Sequence, residues 1–259
     1  FDPSRVPTKA AYEAGRVEIE RLIEVHRKEH GKAPKKLTFS VWSTETMRHL
    51  GMLEGQIMAA MGVKPVWDEG GRVTGVEVIS RARIDPVISI TGLYRDQFPN
   101  VMERLNEGIV MVAALNEAEE ENPLRANTMR IESLLVSKGA DAARAHNFAL
   151  TRIFGNESGN YGTELPKATL ASDKWDEKDG KLAAGYLSRM SWGYGPDTAQ
   201  WSEKLSGKDG QEINAYAAHL SGTDAAVFSR SSNLRGLLDL DHPFEYLGGI
   251  SLAVRSIDG

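Results

Sequence analysis

The stretch Trp42-Ser43-Thr44-Glu45-Thr46-Met47-Arg48-His49 gathers a carboxylate, a guanidinium and an imidazole at the start of a helical pattern. Glu45 and His49 stand four apart, so on a helix they share one face. That spacing suits two ligands of a metal grip or an acid/base pair. It equally suits a capping carboxylate beside a surface histidine. A second pair, Arg95 and Asp96, sits in Val87 to Asn100, between a strand-like run and the helix start at Pro99. Arg95 can hold a substrate carboxylate through two parallel N–H bonds while Asp96 accepts a proton or binds a metal; the other reading is an ion pair that closes a loop. A third group, Asp239, Asp241 and His242, offers hard oxygen and imidazole ligands to a divalent ion, or else a capped turn.

Two further stretches can bind without reacting. Gly155 to Gly162, which carries Tyr161, lacks the Lys-Ser/Thr ending of a P-loop but can cradle an anion through backbone N–H groups. Trp192 and Tyr194, interleaved with Gly193 and Gly195, can pave a surface for an aromatic ligand or belong to the core. His26, His30, His146 and His219 lie on ordinary helical patterns and read as structural or exposed.

These residues need elements to place them. Thr8 to His30 reads as a capped helix ending near Gly31, and Leu37 to Trp42 as a short buried strand. A helix follows from Ser43 to about Met61, then a strand at Gly62–Trp67, the turn Asp68–Gly71, and Arg72–Ile79 as the continuation or partner of that strand. Val87 to Thr91 is the next strand, and Pro99 opens a helix to about Asn116. Strands alternating with helices predict an α/β fold, with a mixed or parallel sheet and flanking helices. Residues 1–122 form this α/β region. Residues 123–259 read as a mainly helical region with polar loops, packed on the first: helices at Leu124–Lys138, Asp141–Phe154, Lys181–Trp192 and Gln211–Leu220, and one short strand at Ala225–Ser229. In such a sheet, ligands are handled at the carboxyl ends of strands, where Glu45 and Arg95 fall.

Composition narrows the chemistry. The 259 residues hold no cysteine, which rules out disulfides, thiolate metal sites and a cysteine nucleophile. A net charge of -5 argues against nucleic acid as a partner. No run is long enough to span a bilayer, and the start Phe1-Asp2-Pro3 reads as the inside of a longer polypeptide. The compartment expected is the cytoplasm, with the periplasm as the alternative.

Several blocks in order resemble one family. They are Phe1-Asp2-Pro3 with Val6-Pro7-Thr8-Lys9-Ala10-Ala11; Trp42 with Thr44-Glu45-Thr46; Gly62 to Asp68; Arg83-Ile84-Asp85; Gly92 to Asp96 with Phe98-Pro99-Asn100; Glu120-Glu121-Asn122; Arg152-Ile153-Phe154 with Tyr161-Gly162; and Tyr246 to Ile250. Together they resemble the large subunit of aerobic cobaltochelatase (CobN type), related to the large subunit of magnesium chelatase. The resemblance implies an inner portion of a much longer subunit that binds a tetrapyrrole and inserts a divalent metal, cobalt first, with magnesium or iron as alternatives. It implies AAA+ ATPase partners that use ATP not bound here, and contact with the rest of the large subunit. On this reading Glu45, Asp96 and His242 are the catalytic candidates, and Glu45, His49, Asp239, Asp241 and His242 the metal ligands. Arg48, Arg95, Tyr161, Trp192, Tyr194 and Arg230 are the substrate-binding set. A porphyrin or haem chelatase, a dechelatase, a carrier, or a non-catalytic structural domain of the same subunit remain the alternatives.

Overall fold

Thr8 accepts a hydrogen bond from the Ala11 amide at 3.2 Å, and Gly31 turns the chain out in a left-handed conformation, so helix α1 spans Lys9–His30 as its caps predict. In the computed structural model, which describes residues 1–79, 81–170, 180–230 and 243–259, the chain continues through β1 (Lys36–Val41), α2 (Ser43–His49) and α3 (Met52–Met61). Next come β2 (Val63–Trp67), β3 (Val73–Val78), β4 (Asp85–Ile90), α4 (Gly92–Gln97) and α5 (Pro99–Ala113). The second half holds α6 (Pro123–Ser137), α7 (Ala142–Leu150), β5 (Ile153–Gly155), α8 (Leu165–Leu170), α9 (Lys181–Met190) and β6 (Trp192–Gly193). It closes with β7 (Leu205–Ser206), β8 (Glu212–Ile213), α10 (Ala215–Leu220), β9 (Ala225–Phe228), a π-helical turn Pro243–Gly248, and α11 (Gly249–Asp258). The metal-ligand candidates Asp239, Asp241 and His242 lie outside the described residues.

The main sheet has the order β6-β5-β4-β1-β9. β1, β4, β5 and β9 run parallel, and β6 pairs antiparallel with β5. Every residue of β1 and β4 is buried, as a parallel sheet covered on both faces requires. Leu37, Phe39, Ile88, Ile90 and Ile153 face a core shared with α1, α3 and α5. Val87 and Phe154 face a second core with α7, α9, α10 and α11. The expected mixed sheet with flanking helices is therefore present, and residues beyond 122 are mainly helical while also lending β5, β6 and β9 to the sheet.

Local expectations change at several points, among them the helix expected at Gln211–Leu220, which begins only at Ala215 after β8, and the one expected at Lys181–Trp192, which ends at Met190 before β6. The helix expected from Ser43 to Met61 is broken, because Leu50 and Gly51 both take left-handed backbone with φ 55° and 87°. Of the two readings of Arg72–Ile79 the partner holds: β2 and β3 form an antiparallel hairpin, and among the described residues neither joins the main sheet. The helix expected at Asp141–Phe154 stops at Leu150, and Ile153 and Phe154 become β5 beside β4.

α1 and α3 cross at backbone distance. A Cβ on Gly15 would collide with the Gln56 amide and the Met52 carbonyl, and one on Gly55 would lie 2.7 Å from the Tyr12 Cα.

Beneath the amino ends of the strands lies a buried charged network. Arg152 and Asp85 form an ion pair at 2.7 Å with both side chains fully buried. Arg152 also donates to Thr128 Oγ1 at 2.8 Å, to the Leu124 carbonyl at 3.1 Å and to the Ala149 carbonyl. Lys36 Nζ donates to the carbonyls of His219 and Ser221 at 2.9 and 2.6 Å, and burial pushes its pKa down to about 8.

His219 Nε2 lies 2.8 Å from the Phe148 carbonyl. A carbonyl only accepts, so the ring donates there. Burial, then the Arg152 charge, hold the His219 pKa well below 6.5. The folded state therefore refuses a proton that the unfolded chain takes up below its own pKa. Stability is full above about pH 6.5 and falls by about 1.4 kcal/mol per pH unit below it. Urea midpoints at pH 7 and pH 5 will show this loss, and His219→Gln, which keeps an N–H donor toward Phe148, will reduce it. An unchanged pH dependence in that variant would place the acid sensitivity elsewhere.

Candidate functional site

Four parallel strands deliver Trp42, Thr91, Asn156 and Ser229 to one edge of the sheet. The chain adds β4 and then β5 on one side of β1 and returns to place β9 on the other. The order reverses between β1 and β9, and the carboxyl ends at such a switch point open the crevice in which α/β sheets bind ligands. Here the Trp42 ring stacks on Phe228 with centroids 5.7 Å apart and planes 18° from parallel. Trp42 Nε1 donates to the Ser229 carbonyl at 3.3 Å.

α2 starts at this crevice. Glu45, in its first turn and 1% exposed, accepts from Arg48 Nη1 at 2.9 Å, while Arg48 reaches solvent. An acid in the first turn also meets the positive end of the helix dipole. Ser43 Oγ donates to Gln97 Oε1 and so ties α2 to α4. Thr46 Oγ1 donates to Glu54 Oε1 at 2.6 Å, inside the core. His49 Nδ1 accepts from the Met52 amide at 3.0 Å and thereby caps α3. Its Nε2 is buried without a hydrogen-bond partner among the described residues. Glu45 and His49 thus share α2, and each has its own partner at its own end.

The Arg95 and Asp96 pair forms a second centre beside the first. Thr91 caps α4 through the Tyr94 amide at 3.3 Å, which sets Arg95 in the last turn and buries it. Arg95 Nε donates to Asp96 Oδ1 at 2.7 Å. Its Nη1 donates to the carbonyls of Glu157 at 2.7 Å, Asn160 at 3.3 Å and Asn156 at 3.4 Å. Tyr161 donates its hydroxyl to Asp96 Oδ2 at 2.7 Å and lies under the guanidinium at 5.5 Å. Burial pushes the Asp96 carboxyl up, yet the bonds from Arg95 and Tyr161 and the Arg95 charge bring it below the ordinary aspartate value. Arg95 therefore acts as a clamp on the Gly155 to Gly162 loop, with Nη2 buried and left over.

The same loop is held from its other side. Tyr194 donates to the Asn156 carbonyl, Arg189 Nε to the Gly162 carbonyl at 3.2 Å, and the Thr163 hydroxyl to Glu245 at 3.0 Å. Gly92 is needed for the approach, since a Cβ there would lie 2.6 Å from the Tyr161 ring and 2.7 Å from the Asn160 carbonyl. Tyr194 is buried in the core and Trp192 is half-buried, with Lys204 Nζ 5.2 Å from its ring centroid. Arg230 leaves β9 at the switch point, its Nε buried without a partner among the described residues. Among the described residues no three His, Asp or Glu side chains are grouped so as to hold a metal ion.

The CobN/Magnesium Chelatase family model matches residues 1–259. The chain belongs to this family. It is 33% identical over its whole length to aerobic cobaltochelatase subunit CobN of Sinorhizobium sp, of which it covers 20%. Over 95% of its length it is 31% identical to the chloroplastic magnesium-chelatase subunit ChlH of Oryza sativa subsp. indica, with 17% of that protein covered. The solved catalytic subunit of cobaltochelatase from Mycobacterium tuberculosis superposes on 99% of the chain with a TM-score of 0.85 and 32% identity, over 21% of its own length. The chain spans about a fifth of the length of these relatives.

On this chelatase-family fold, two contributors escape a reading of spacing. Phe228 forms half of the stacked aromatic pair, and its signal was the apolar run Ala225-Ala226-Val227-Phe228 immediately before Ser229 and Arg230. Glu54 is fully buried on α3 and supports α2 through Thr46. It lies inside an apolar helix, and no local pattern marks it as tied to the site.

Proposed function

We propose that the chain is part of the tetrapyrrole-binding, metal-inserting subunit of an ATP-dependent chelatase, with cobalt and a corrin precursor as substrates. The observation that carries this reading is the juxtaposition at the β1/β9 switch point: a flat aromatic pair, Trp42 and Phe228, beside a buried carboxylate, Glu45, with an exposed cation, Arg48. Metal insertion removes two pyrrole protons, strips water from the ion and bends a flat macrocycle. Glu45 is the group in this crevice that accepts a proton or briefly ligates the incoming ion. Arg48 and Arg230 meet the carboxylate arms of the macrocycle, and the aromatic pair meets its face. Arg95, Asp96 and Tyr161 hold the adjoining loop that bounds the crevice. His49 contributes its unpaired Nε2 only after a shift of the α2/α3 joint, and Asp239, Asp241 and His242 complete the ligand set from the segment that follows β9. Work for desolvating the ion comes from AAA+ partner subunits in the cytoplasm.

The test is an absorbance titration of the full-length protein with hydrogenobyrinic acid diamide and, separately, with protoporphyrin and haem. Corrinoid binding weakened roughly tenfold or more by Glu45→Ala and by His242→Ala supports the reading; a tenfold loss is about 1.4 kcal/mol. Preference for porphyrin or haem moves the protein to a different substrate. Binding that neither substitution alters removes the site from this crevice.

A further inference from the structure

β9 is apolar and parallel to β1, yet none of its residues is buried, whereas β1 and β4 are buried throughout. Parallel strands are normally covered on both faces and paired on both edges. β9 has β1 on one side and, among the described residues, no strand on the other. The Asp224 amide donates to the Lys36 carbonyl at 3.0 Å. Lys35 and Val41 turn their carbonyls to β4, so Lys36, Thr38 and Ser40 face β9. With Leu37 opposite Ala225 and Phe39 opposite Val227, the amides of Ala225 and Val227 face β1 and those of Ala226 and Phe228 face the open edge. Beside this edge runs a groove of about 360 Å³ lined by Leu22, Val25 and His26 of α1 with Gln56 and Ala225.

The chain end lies where a strand for this edge would begin. Asp258, at the end of α11, accepts from Ser221 Oγ and from the Gly222 amide, both at 2.9 Å. Those residues lead directly into β9, so α11 returns the chain to the amino end of β9, and a parallel neighbour has to start at that end. Handedness agrees. From β1 to β4 the chain moves one way along the sheet through α3, which shares a core with α1 and α5. From β9 a step outward moves the opposite way through α11, which belongs to the opposite core. Reversing both direction and face preserves the hand of the crossover, and crossovers between parallel strands keep one hand. The family relatives are about five times as long as this chain.

We propose that in the full-length polypeptide the residues immediately following Gly259 form a strand parallel to β9 on its outer edge. The sheet then continues past β9, and apolar side chains of the new strand fill the groove along α1. The proposal rests on the fold and the family and is independent of the metal-insertion reading.

Two measurements on the full-length protein test it. Residue-resolved amide exchange will show Ala226 and Phe228 slowed roughly a hundredfold or more relative to free edge amides. A benzophenone amino acid in place of Val25, an exposed residue of α1, will cross-link on illumination to the peptide that begins directly after Gly259. Fast exchange at Ala226 and Phe228 overturns the proposal. So does an adduct to residues 231–242, to a second copy of the chain, or to any distant part of the polypeptide.

Discussion

Arg152→Met will lower the free energy of unfolding by about 3–5 kcal/mol, measured by guanidinium titration followed by circular dichroism. Domains are usually stable by about 5–15 kcal/mol, so this single change removes a large share. The reason is the company Arg152 keeps. Its partner Asp85 is fully buried and would retain only the Asn127 amide at 2.8 Å, with no bonded cation. The carbonyls of Leu124 and Ala149 and the Thr128 hydroxyl would lose their donor at the same time. Most of the loss is the cost of a stranded buried charge, so Asp85→Leu combined with Arg152→Met will recover part of it. A loss below about 1 kcal/mol for the single change would mean that water or Lys36 takes over the guanidinium's place.

Arg95→Lys will free the loop from Asn156 to Tyr161, with limited proteolysis and amide exchange there accelerated at least about tenfold. The guanidinium reaches Asp96 with Nε and three loop carbonyls with Nη1 at once. One ammonium cannot span both sets, so the charge is kept while the clamp is lost. About 2–3 kcal/mol of charge-assisted hydrogen bonding is at stake. Under the chelatase reading, tetrapyrrole affinity will fall with the loop even though net charge is unchanged. Equal affinity alongside a loosened loop would remove this loop from the binding surface.

β1 and β4 were legible as continuous apolar, β-branched runs between polar turns, and α1 from Thr8 and Gly31 at its ends. The break inside Ser43–Met61 was not, because its one mark is Gly51, a lone glycine inside a helical pattern, and Leu50 beside it takes a left-handed conformation that its type does not signal. β5 was hidden because three residues are too few to show a period, and Ile153 and Phe154 continue the apolar stripe of α7. The candidate site divides the same way. Glu45 and Arg48 are neighbours in sequence and partners in space, and their pairing follows from helical spacing. The Arg95–Asp96 ion pair was among the readings; the hold of Arg95 on the Asn156–Tyr161 loop was out of reach, since those acceptors are backbone carbonyls 61 to 65 positions away, and a carbonyl carries no residue identity.

The contact of Gly15 and Gly55 bears on how force travels through the molecule. Where two helices touch backbone to backbone, no side chain between them can bend or change rotamer, so α1 and α3 shift as one stiff lever. Across the left-handed pair Leu50 and Gly51, the buried bond from Thr46 to Glu54 carries the tie on from α3 to α2, the helix of Glu45. The two glycines thus fix, through α3, the distance at which the candidate carboxylate stands from α1.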